Sequence, residues 1–285
     1  MTEELKIVYG EKEYCNSLKK EDFQGAEALV LRLFENYEKG FFDNTNLKYI
    51  GTTHTDVSHF NLEEMNRNKI TLTNVPGYST EVVAELTISA LLNISRRTHD
   101  AMNFVKQGNW GFESFMGWEL KGKTLGVIGL GNIGRRIAEI ALGLGMKVVH
   151  FSRSEKDGFK LVTLDELLKT SDVISLNCAL NKNTEQILNK EKLSLIKKGT
   201  VLLNPGRSEL VDLDTVFKLC EEKCLSAWFE AIEEQEIRNN FGKLDNIYLT
   251  PHFGWMTLEA QNNLREITLK NIQTFLNGNV QNKVN

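Results

Sequence analysis

The fold of this chain is decided by Lys123-Thr-Leu-Gly-Val-Ile-Gly-Leu-Gly-Asn-Ile-Gly-Arg-Arg-Ile-Ala138, an apolar strand that runs through a glycine turn into an amphipathic helix. Each glycine has its own physical task. Gly129 makes the tight turn, Gly131 lets the backbone come close to a pyrophosphate, and Gly134 lets the helix pack closely on the strand. The pattern predicts a turn that binds a dinucleotide.

The residues after the turn support that prediction. A helix is predicted from Ile133 to about Leu144, Gly145 ends it, and a second strand follows at Lys147–Phe151. The helix N-terminus, with Asn132 and Ile133 in its first turn, offers backbone N–H groups and the positive end of the helix dipole to an anion. We therefore assign Asn132 and Ile133 to the cofactor site together with the glycines.

The end of the second strand predicts which dinucleotide binds. A site for NAD usually has Asp or Glu about 20 residues beyond the glycines, where the carboxylate accepts a hydrogen bond from the ribose 2′-OH. This chain has Ser152-Arg153-Ser154 instead. A guanidinium and two hydroxyls suit a 2′-phosphate, which favours NADP over NAD. The alternative is a solvated Arg153 beside a loosely bound ribose.

Composition limits the remaining possibilities. With 285 residues, 41% of them hydrophobic, the chain can bury a large core, and its length suggests two domains. The net charge of −4, with basic and acidic residues interspersed, predicts neither nucleic acid nor an anionic membrane as a partner. An acidic start without a signal-peptide core and the lack of an 18-residue apolar run lead us to expect a cytoplasmic protein.

The cysteines do not indicate a metal site. Two of them share a predicted helix face, but no second pair of soft ligands accompanies them. We interpret all as free thiols of a reducing compartment, and that pair as small apolar fillers; the cysteines are Cys15, Cys178, Cys220 and Cys224.

Strand and helix signals alternate along the chain, which predicts an α/β fold with a doubly wound parallel sheet over about 95–255. After the glycine turn, strands are predicted at Asp172–Leu176, Thr200–Asn204, Ser226–Glu230 and Ile247–Leu249, with helices at 164–170, 190–198 and 212–224. A smaller α/β domain is predicted from 1–94 plus 256–285, with strands at Lys6–Gly10, Ala28–Leu31, Tyr49–Gly51 and Thr71–Asn74, a long helix from Thr80 and a closing helix at Thr257–Phe275.

Five motifs occur along the chain in a fixed order: Asn74-Val-Pro-Gly77, Val83-Ala-Glu-Leu86, Leu120-Lys-Gly-Lys-Thr-Leu-Gly-Val-Ile-Gly-Leu-Gly131, Asn204-Pro-Gly-Arg207 and Leu249-Thr-Pro-His-Phe-Gly-Trp255. Together they resemble the D-isomer-specific 2-hydroxyacid dehydrogenases over nearly the whole chain. The resemblance implies a Rossmann domain for NAD(P), a flavodoxin-like domain, here shortened, and a homodimer. It also implies oxidoreductase chemistry on a small 2-oxo or 2-hydroxy acid.

Two residues of these motifs are expected to carry the chemistry. Arg207 is similar to the family's substrate-binding arginine, and a guanidinium can donate to the carboxylate and the ketone oxygen of a 2-oxo acid together. His252 matches the catalytic histidine, a residue type suited to exchange a proton with the ketone oxygen near neutral pH. The other histidines, at 54, 59, 99 and 150, do not lie in a matching motif.

The third catalytic member of the family is a Glu that orients the histidine and favours its charged form. It follows five residues after an Asp that contacts the nicotinamide amide. Glu230 fits the Asp position, and counting five onward reaches Gln235, with Glu234 and Glu236 on either side. We choose Glu234, with Glu236 as the alternative. A Gln beside His is also the pairing of formate dehydrogenases of this superfamily, which are longer than this chain.

Other positions are assigned from the resemblance with less support from the residues themselves. The remaining cofactor contacts are expected at Cys178, Thr184, Pro205 and Gly254, and His252 also faces the cofactor. The substrate carboxylate is expected near Thr55, Asp56 and Arg32. In this segment bulky residues replace the family's Gly-rich clamp, and Arg32 either compensates the added acid or is simply solvated. Trp255 either walls a small substrate pocket or packs in the core.

The leading functional hypothesis is therefore a reductase that moves hydride from NADPH to a small 2-oxo acid such as glyoxylate or hydroxypyruvate and gives the D-2-hydroxy acid. The altered Glu loop and the lost glycine clamp keep a second hypothesis open. In that hypothesis the chain is a nucleotide-sensing binding protein, like the corepressors of the same family, with vestigial catalysis.

Overall fold

The computed structural model describes residues 7–10, 18–32, 37–156 and 158–285. The chain forms two compact units. The smaller contains Met1–Tyr78 and Thr257–Asn285, and the larger contains Ser79–Met256. Our sequence prediction put the first boundary at 94/95 instead, near the end of the long helix Thr80–Arg96. That helix belongs to the larger unit, because its buried face shares a core with the strand before the glycine turn.

The elements are as follows. The strands are β1 Ile7–Gly10, β2 Ala28–Leu31, β3 Tyr49–Thr52, β4 Thr71–Thr73, β5 Thr124–Ile128, β6 Lys147–Phe151, β7 Lys160–Leu161, β8 Val173–Leu176, β9 Thr200–Asn204, β10 Leu225–Phe229 and β11 Ile247–Leu249. The α-helices are α1 Leu62–Arg67, α2 Thr80–Arg96, α3 Thr98–Lys106, α4 Asn132–Gly143, α5 Leu164–Thr170, α6 Lys190–Leu193, α7 Leu213–Glu221, α8 Gln235–Phe241 and α9 Leu258–Leu276. No helix within the described ranges is long and apolar enough to cross a membrane.

The smaller unit is built on a parallel sheet with the order β1-β2-β3-β4. This is the order that remains when the second strand is removed from the flavodoxin-like order 2-1-3-4-5. Helix α9 packs on one face of the sheet, where the rings of Tyr49 and Phe275 lie 4.7 Å apart. The other face is covered by a core that includes Phe42, Ile50 and Met65.

The larger unit contains a parallel seven-stranded sheet with the order β11-β10-β9-β8-β5-β6-β7. The chain reverses direction across the sheet between β5 and β8, which is the switch point where nucleotides bind in doubly wound folds. Apolar strands buried on both faces explain this arrangement, since Leu125, Val127, Ile174 and Leu202 are all inaccessible to solvent. The predicted α/β fold with a Rossmann domain is confirmed.

Several element bounds differ from the prediction. The helix expected at 190–198 ends at Leu193, because the chain continues in tight turns whose N–H groups reach back three residues, as from Leu195 to Lys192. Helices α3 and α8 were not anticipated. Strand β10 ends at Phe229, so Glu230 is the first residue beyond the strand.

Candidate functional site

The glycine turn leaves room for a dinucleotide at the switch point. Gly129 has φ of 91°, and a Cβ there would lie 2.7 Å from the backbone N of Cys178. A Cβ on Gly134 would overlap the carbonyl oxygen of Gly129, so the close contact of helix with strand requires glycine. A Cβ on Gly131 would meet no atom within 4 Å. The open space therefore lies beside Gly131 at the N-terminus of α4, where backbone N–H groups and the helix dipole can attract an anion.

The residues that follow β6 form an ordered corner. The Ser152 hydroxyl donates to the Ser154 carbonyl oxygen at 2.8 Å and lies 3.0 Å from His150 Nδ1. His150 is fully buried, and burial lowers the pKa of its ring, which favours the neutral imidazole. Arg153 is exposed at this corner. The arrangement can present a guanidinium to an anion at the end of β6.

The turn after β9 presents Arg207. The buried Asn204 side chain organises this turn. Its Oδ1 accepts from the Gly206 N–H at 3.0 Å, and its Nδ2 donates to the Arg207 carbonyl at 2.9 Å. Pro205 lies in the same turn, between Asn204 and Gly206. The side chain of Arg207 keeps 27% of its surface exposed at the carboxyl edge of the sheet.

His252 follows β11 in an unusual backbone conformation. Its φ of 55° lies in the left-handed region, which costs an L-residue about 1–2 kcal/mol. Its N–H donates to the Glu230 carbonyl at 3.0 Å, and its own carbonyl accepts from Trp255 Nε1 at 3.1 Å. Trp255 thus contacts the backbone of His252. The imidazole remains about half exposed.

The carboxylate of Glu233 lies near the side chains of both Arg207 and His252. Its Oε1 lies 3.3 Å from His252 Nδ1 and 3.9 Å from Arg207 Nη1. One oxygen can therefore hold the imidazole and attract the guanidinium at once.

The structure thus differs from the sequence prediction, which put Glu234 or Glu236 at the histidine. Glu234 is the N-cap residue of α8, and Glu236 lies in that helix's first turn. Gln235 bonds to Asn239 and Arg238. Glu234, Gln235 and Glu236 lie at the start of helix α8. Counting residues from Glu230 could not predict that a helix begins there.

Glu230 lies close to the same histidine but is buried. Its Oε1 accepts from the Gly254 N–H at 2.8 Å, and its Oε2 is 3.8 Å from His252 Nε2. Burial raises the pKa of Glu230, while the Gly254 N–H and the nearby His252 act in the opposite direction. We predicted that this side chain contacts the nicotinamide. In the structure its carboxylate accepts a hydrogen bond from the turn that carries His252.

The other predicted cofactor residues occupy loops at the same edge of the sheet. Cys178 follows β8 and lies against Gly129, and burial raises the pKa of its thiol. Thr184 is part of a turn in which its hydroxyl donates to the Ala179 carbonyl at 2.6 Å. Its side chain therefore stabilises the loop itself.

The predicted substrate residues in the smaller unit are held by hydrogen bonds within that unit. The Thr55 hydroxyl donates to the Val75 carbonyl at 2.9 Å, and Asp56 accepts from the N–H and hydroxyl of Ser58 at 2.9 Å each. Arg32 Nη2 donates to Gln261 Oε1 at 3.4 Å. The structure therefore gives Thr55 and Asp56 a role in shaping the loop after β3.

The described cysteines are Cys178, Cys220 and Cys224, and each is a free thiol. Cys220 is fully buried, and burial raises the pKa of its thiol to about 12, as suits an apolar filler. Cys15 lies outside the described residues. Within the described ranges no group of three or more His, Cys, Asp and Glu is arranged to hold a metal ion.

Comparison with known proteins agrees with this geometry. Residues 88–254 match the family described as "D-isomer specific 2-hydroxyacid dehydrogenase, NAD binding domain". The glyoxylate reductase of Thermococcus litoralis is 34% identical over 276 residues, which cover 91% of this chain and 83% of that protein.

Two solved structures are also similar. An acyclic imino acid reductase in complex with NADPH and D-Arg is 28% identical with a TM-score of 0.87, covering 94% of this chain and 90% of that one. A D-lactate dehydrogenase from Aquifex aeolicus, complexed with NAD and lactic acid, is 29% identical with a TM-score of 0.85, covering 92% and 86%. With its glycine turn and its Arg207, Glu233 and His252 on one sheet edge, the chain belongs to the NAD(P)-dependent D-isomer-specific 2-hydroxyacid dehydrogenases.

Proposed function

We propose that this protein reduces a small 2-oxo acid to the D-2-hydroxy acid with NADPH. The observation that carries the proposal is the meeting of Arg207, Glu233 and His252 at the edge of the sheet that also bears the glycine turn. A hydrogen-bond donor for the substrate and a proton donor then lie in the same unit as the cofactor turn.

Each of these side chains has a distinct role in the proposed reaction. Arg207 binds the carboxylate of the 2-oxo acid and polarises its ketone oxygen. His252 gives a proton to that oxygen as negative charge develops on it, and Glu233 holds the imidazole by accepting from Nδ1. A nicotinamide cofactor held at the turn formed by Gly129, Gly131 and Gly134 would supply hydride for the ketone carbon. In the reverse direction His252 accepts the hydroxyl proton.

The small size of the substrate is inferred from relatives. Glyoxylate reductases recur among the similar proteins, and a hydroxypyruvate reductase of Blautia hydrogenotrophica is 33% identical. The test is loss of the reduced-nicotinamide absorbance when purified protein meets NADPH or NADH and a panel of glyoxylate, hydroxypyruvate, pyruvate and bulkier 2-oxo acids. Turnover with glyoxylate or hydroxypyruvate supports the proposal, and no turnover with any acid of the panel contradicts it.

We expect the Arg153→Asp variant to lose its preference for NADPH. A charge-assisted hydrogen bond contributes about 1.5–3 kcal/mol, so the ratio of kcat/KM for NADPH over NADH should fall roughly 10- to 100-fold. A carboxylate at the end of β6 repels the 2′-phosphate and can accept from the 2′-OH of NADH. The ratio is measured in steady state with one 2-oxo acid.

Lys147→Asp is the matched control for this variant. It makes the same change of charge at the other, exposed end of β6 and should leave the ratio unchanged. An unchanged ratio in Arg153→Asp would mean that the corner formed by residues 152–154 does not select the cofactor.

The binding-protein alternative remains the second candidate because of the altered loop around Glu233 and the glycine-poor loop after β3. A pure sensor requires cofactor binding but neither Arg207 nor His252.

The formate dehydrogenase-like alternative requires Gln beside the histidine. Gln235 is instead bonded to Asn239 and Arg238, which favours the reductase.

We further propose that the protein is a homodimer and that the apolar surface of the segment 102–116 forms the interface. Large hydrophobic side chains are exposed there to an extent that is rare on a monomer surface. They are Met102 64%, Val105 49%, Trp110 90%, Phe112 82% and Met116 89% exposed. A second copy of the chain would cover them.

The double variant Trp110→Lys with Phe112→Lys is expected to weaken the dimer about 100-fold or more, since two buried aromatic anchors become charges. Sedimentation equilibrium then gives the chain mass of 32.4 kDa where the natural chain gives twice that value. Leu276→Lys, at an exposed position of α9, should leave the dimer intact. A double variant that still dimerises would show that another surface forms the interface.

A further inference from the structure

We propose that Glu230 is a positioning residue that holds His252 in its left-handed backbone conformation, a role that rests on the proposed function of His252 as proton donor. Glu230 stands where the resemblance implies an Asp that contacts the nicotinamide. Its side chain is instead directed into the turn formed by residues 252–254, and only 3% of the residue is exposed.

Glu230 contacts the His252 turn through both its main chain and its side chain. Its carbonyl accepts the His252 N–H at 3.0 Å, and its Oε1 accepts the Gly254 N–H at 2.8 Å. From the following residues, Trp255 Nε1 donates to the His252 carbonyl at 3.1 Å. A non-glycine residue with positive φ persists only where its surroundings over-determine it, and such residues cluster at functional sites. These three hydrogen bonds provide that constraint.

The length of the side chain is what allows the contact. An Asp at position 230 would carry its carboxylate about 1.5 Å less far, because it lacks one methylene. Gly254 completes the fit, since a Cβ there would lie 3.3 Å from Glu230 Cδ and from Leu86 Cδ2. The carboxyl group of Glu230 therefore lies directly against the backbone of Gly254. An Asp at position 230 would not make this contact.

The contact with the His252 turn requires a side chain of the length of Glu230 and does not require a negative charge on it. The groups that face the Glu230 carboxyl are the Phe253 and Gly254 N–H groups, the imidazole of His252 and the carboxylate of Glu233. A carboxyl group in either protonation state accepts a backbone N–H. A Gln of the same length also accepts it, whereas a shorter Asp does not reach.

The experiment compares Glu230→Asp with Glu230→Gln in the natural full-length chain. We expect Glu230→Asp to lower kcat for 2-oxo acid reduction about tenfold or more, because a displaced imidazole loses its alignment, while KM for NADPH changes less than about twofold. Glu230→Gln should retain a kcat at least about threefold above that of Glu230→Asp. A crystal structure of Glu230→Asp should show residue 252 outside the left-handed region. Glu221→Asp, at an exposed position at the end of α7, is the matched control.

Two outcomes overturn the proposal. If Glu230→Asp is the more active variant, charge and not reach is what matters. If KM for NADPH rises while kcat is kept, Glu230 is a nicotinamide contact.

Should Glu230→Asp fail to fold, Gly254→Ala tests the same fit by crowding the carboxyl, with the same expected loss of kcat. If the natural chain reduces no 2-oxo acid, the proposed function fails by itself, and the φ of residue 252 in the variant crystal still decides the positioning role.

Discussion

His252→Ala is expected to lower kcat for 2-oxo acid reduction by about 10²- to 10⁴-fold, the range typical of removing a positioned general acid. Without the imidazole, no general acid remains at position 252, and the proton must come from water. Affinity for NADPH should change far less than kcat, because the glycine turn expected to hold the dinucleotide does not include this side chain. Steady-state kinetics and titration of the bound-nucleotide fluorescence measure the two effects separately.

His99→Ala is the control for this prediction. His99 is exposed on α3 and bonds to Asn103, so its removal should leave kcat within about twofold. If His252→Ala keeps kcat within about threefold of the natural chain, His252 is not the proton donor. A chain that binds NADPH tightly and reduces no acid with or without His252 would favour the sensor.

Two alanine substitutions in the glycine turn are expected to act by different physical routes. Gly131→Ala should fold with unchanged stability, because its Cβ meets no protein atom within 4 Å, yet its affinity for NADPH should fall about tenfold or more. Its methyl group occupies the space needed by the pyrophosphate. Gly134→Ala places its Cβ against the Gly129 carbonyl, and should lose about 1–3 kcal/mol of unfolding free energy together with cofactor binding.

Gly143→Ala is the matched control for both. It lies at the end of α4 with open space around its Cβ, so NADPH affinity should be kept and stability can rise by up to about 1 kcal/mol. Chemical denaturation and NADPH titration of all three variants check the prediction. If Gly131→Ala binds NADPH as tightly as the natural chain, the dinucleotide does not lie where the glycine pattern indicates.

The sequence by itself determined the α/β class, the parallel sheet of the larger unit and the nucleotide turn. Apolar strands, helix periodicity and glycine spacing are local signals, and the strands at Lys147–Phe151, Thr200–Asn204 and Ile247–Leu249 have the same bounds in the structure as in the prediction. Arg207 and His252 were predicted from the resemblance to the family, and each lies three residues beyond the end of a strand that the sequence also predicted.

Only the tertiary structure decided which acid lies beside His252. Glu233, Glu234 and Glu236 have the same chemistry and adjacent positions, so no local signal separates them. Glu234 and Glu236 lie in the first turn of α8 or at its N-cap, whereas Glu233 precedes the helix and contacts the imidazole. The burial of Glu230 and the left-handed conformation of His252 likewise arise from contacts between segments that are distant in sequence, which periodicity and spacing do not record.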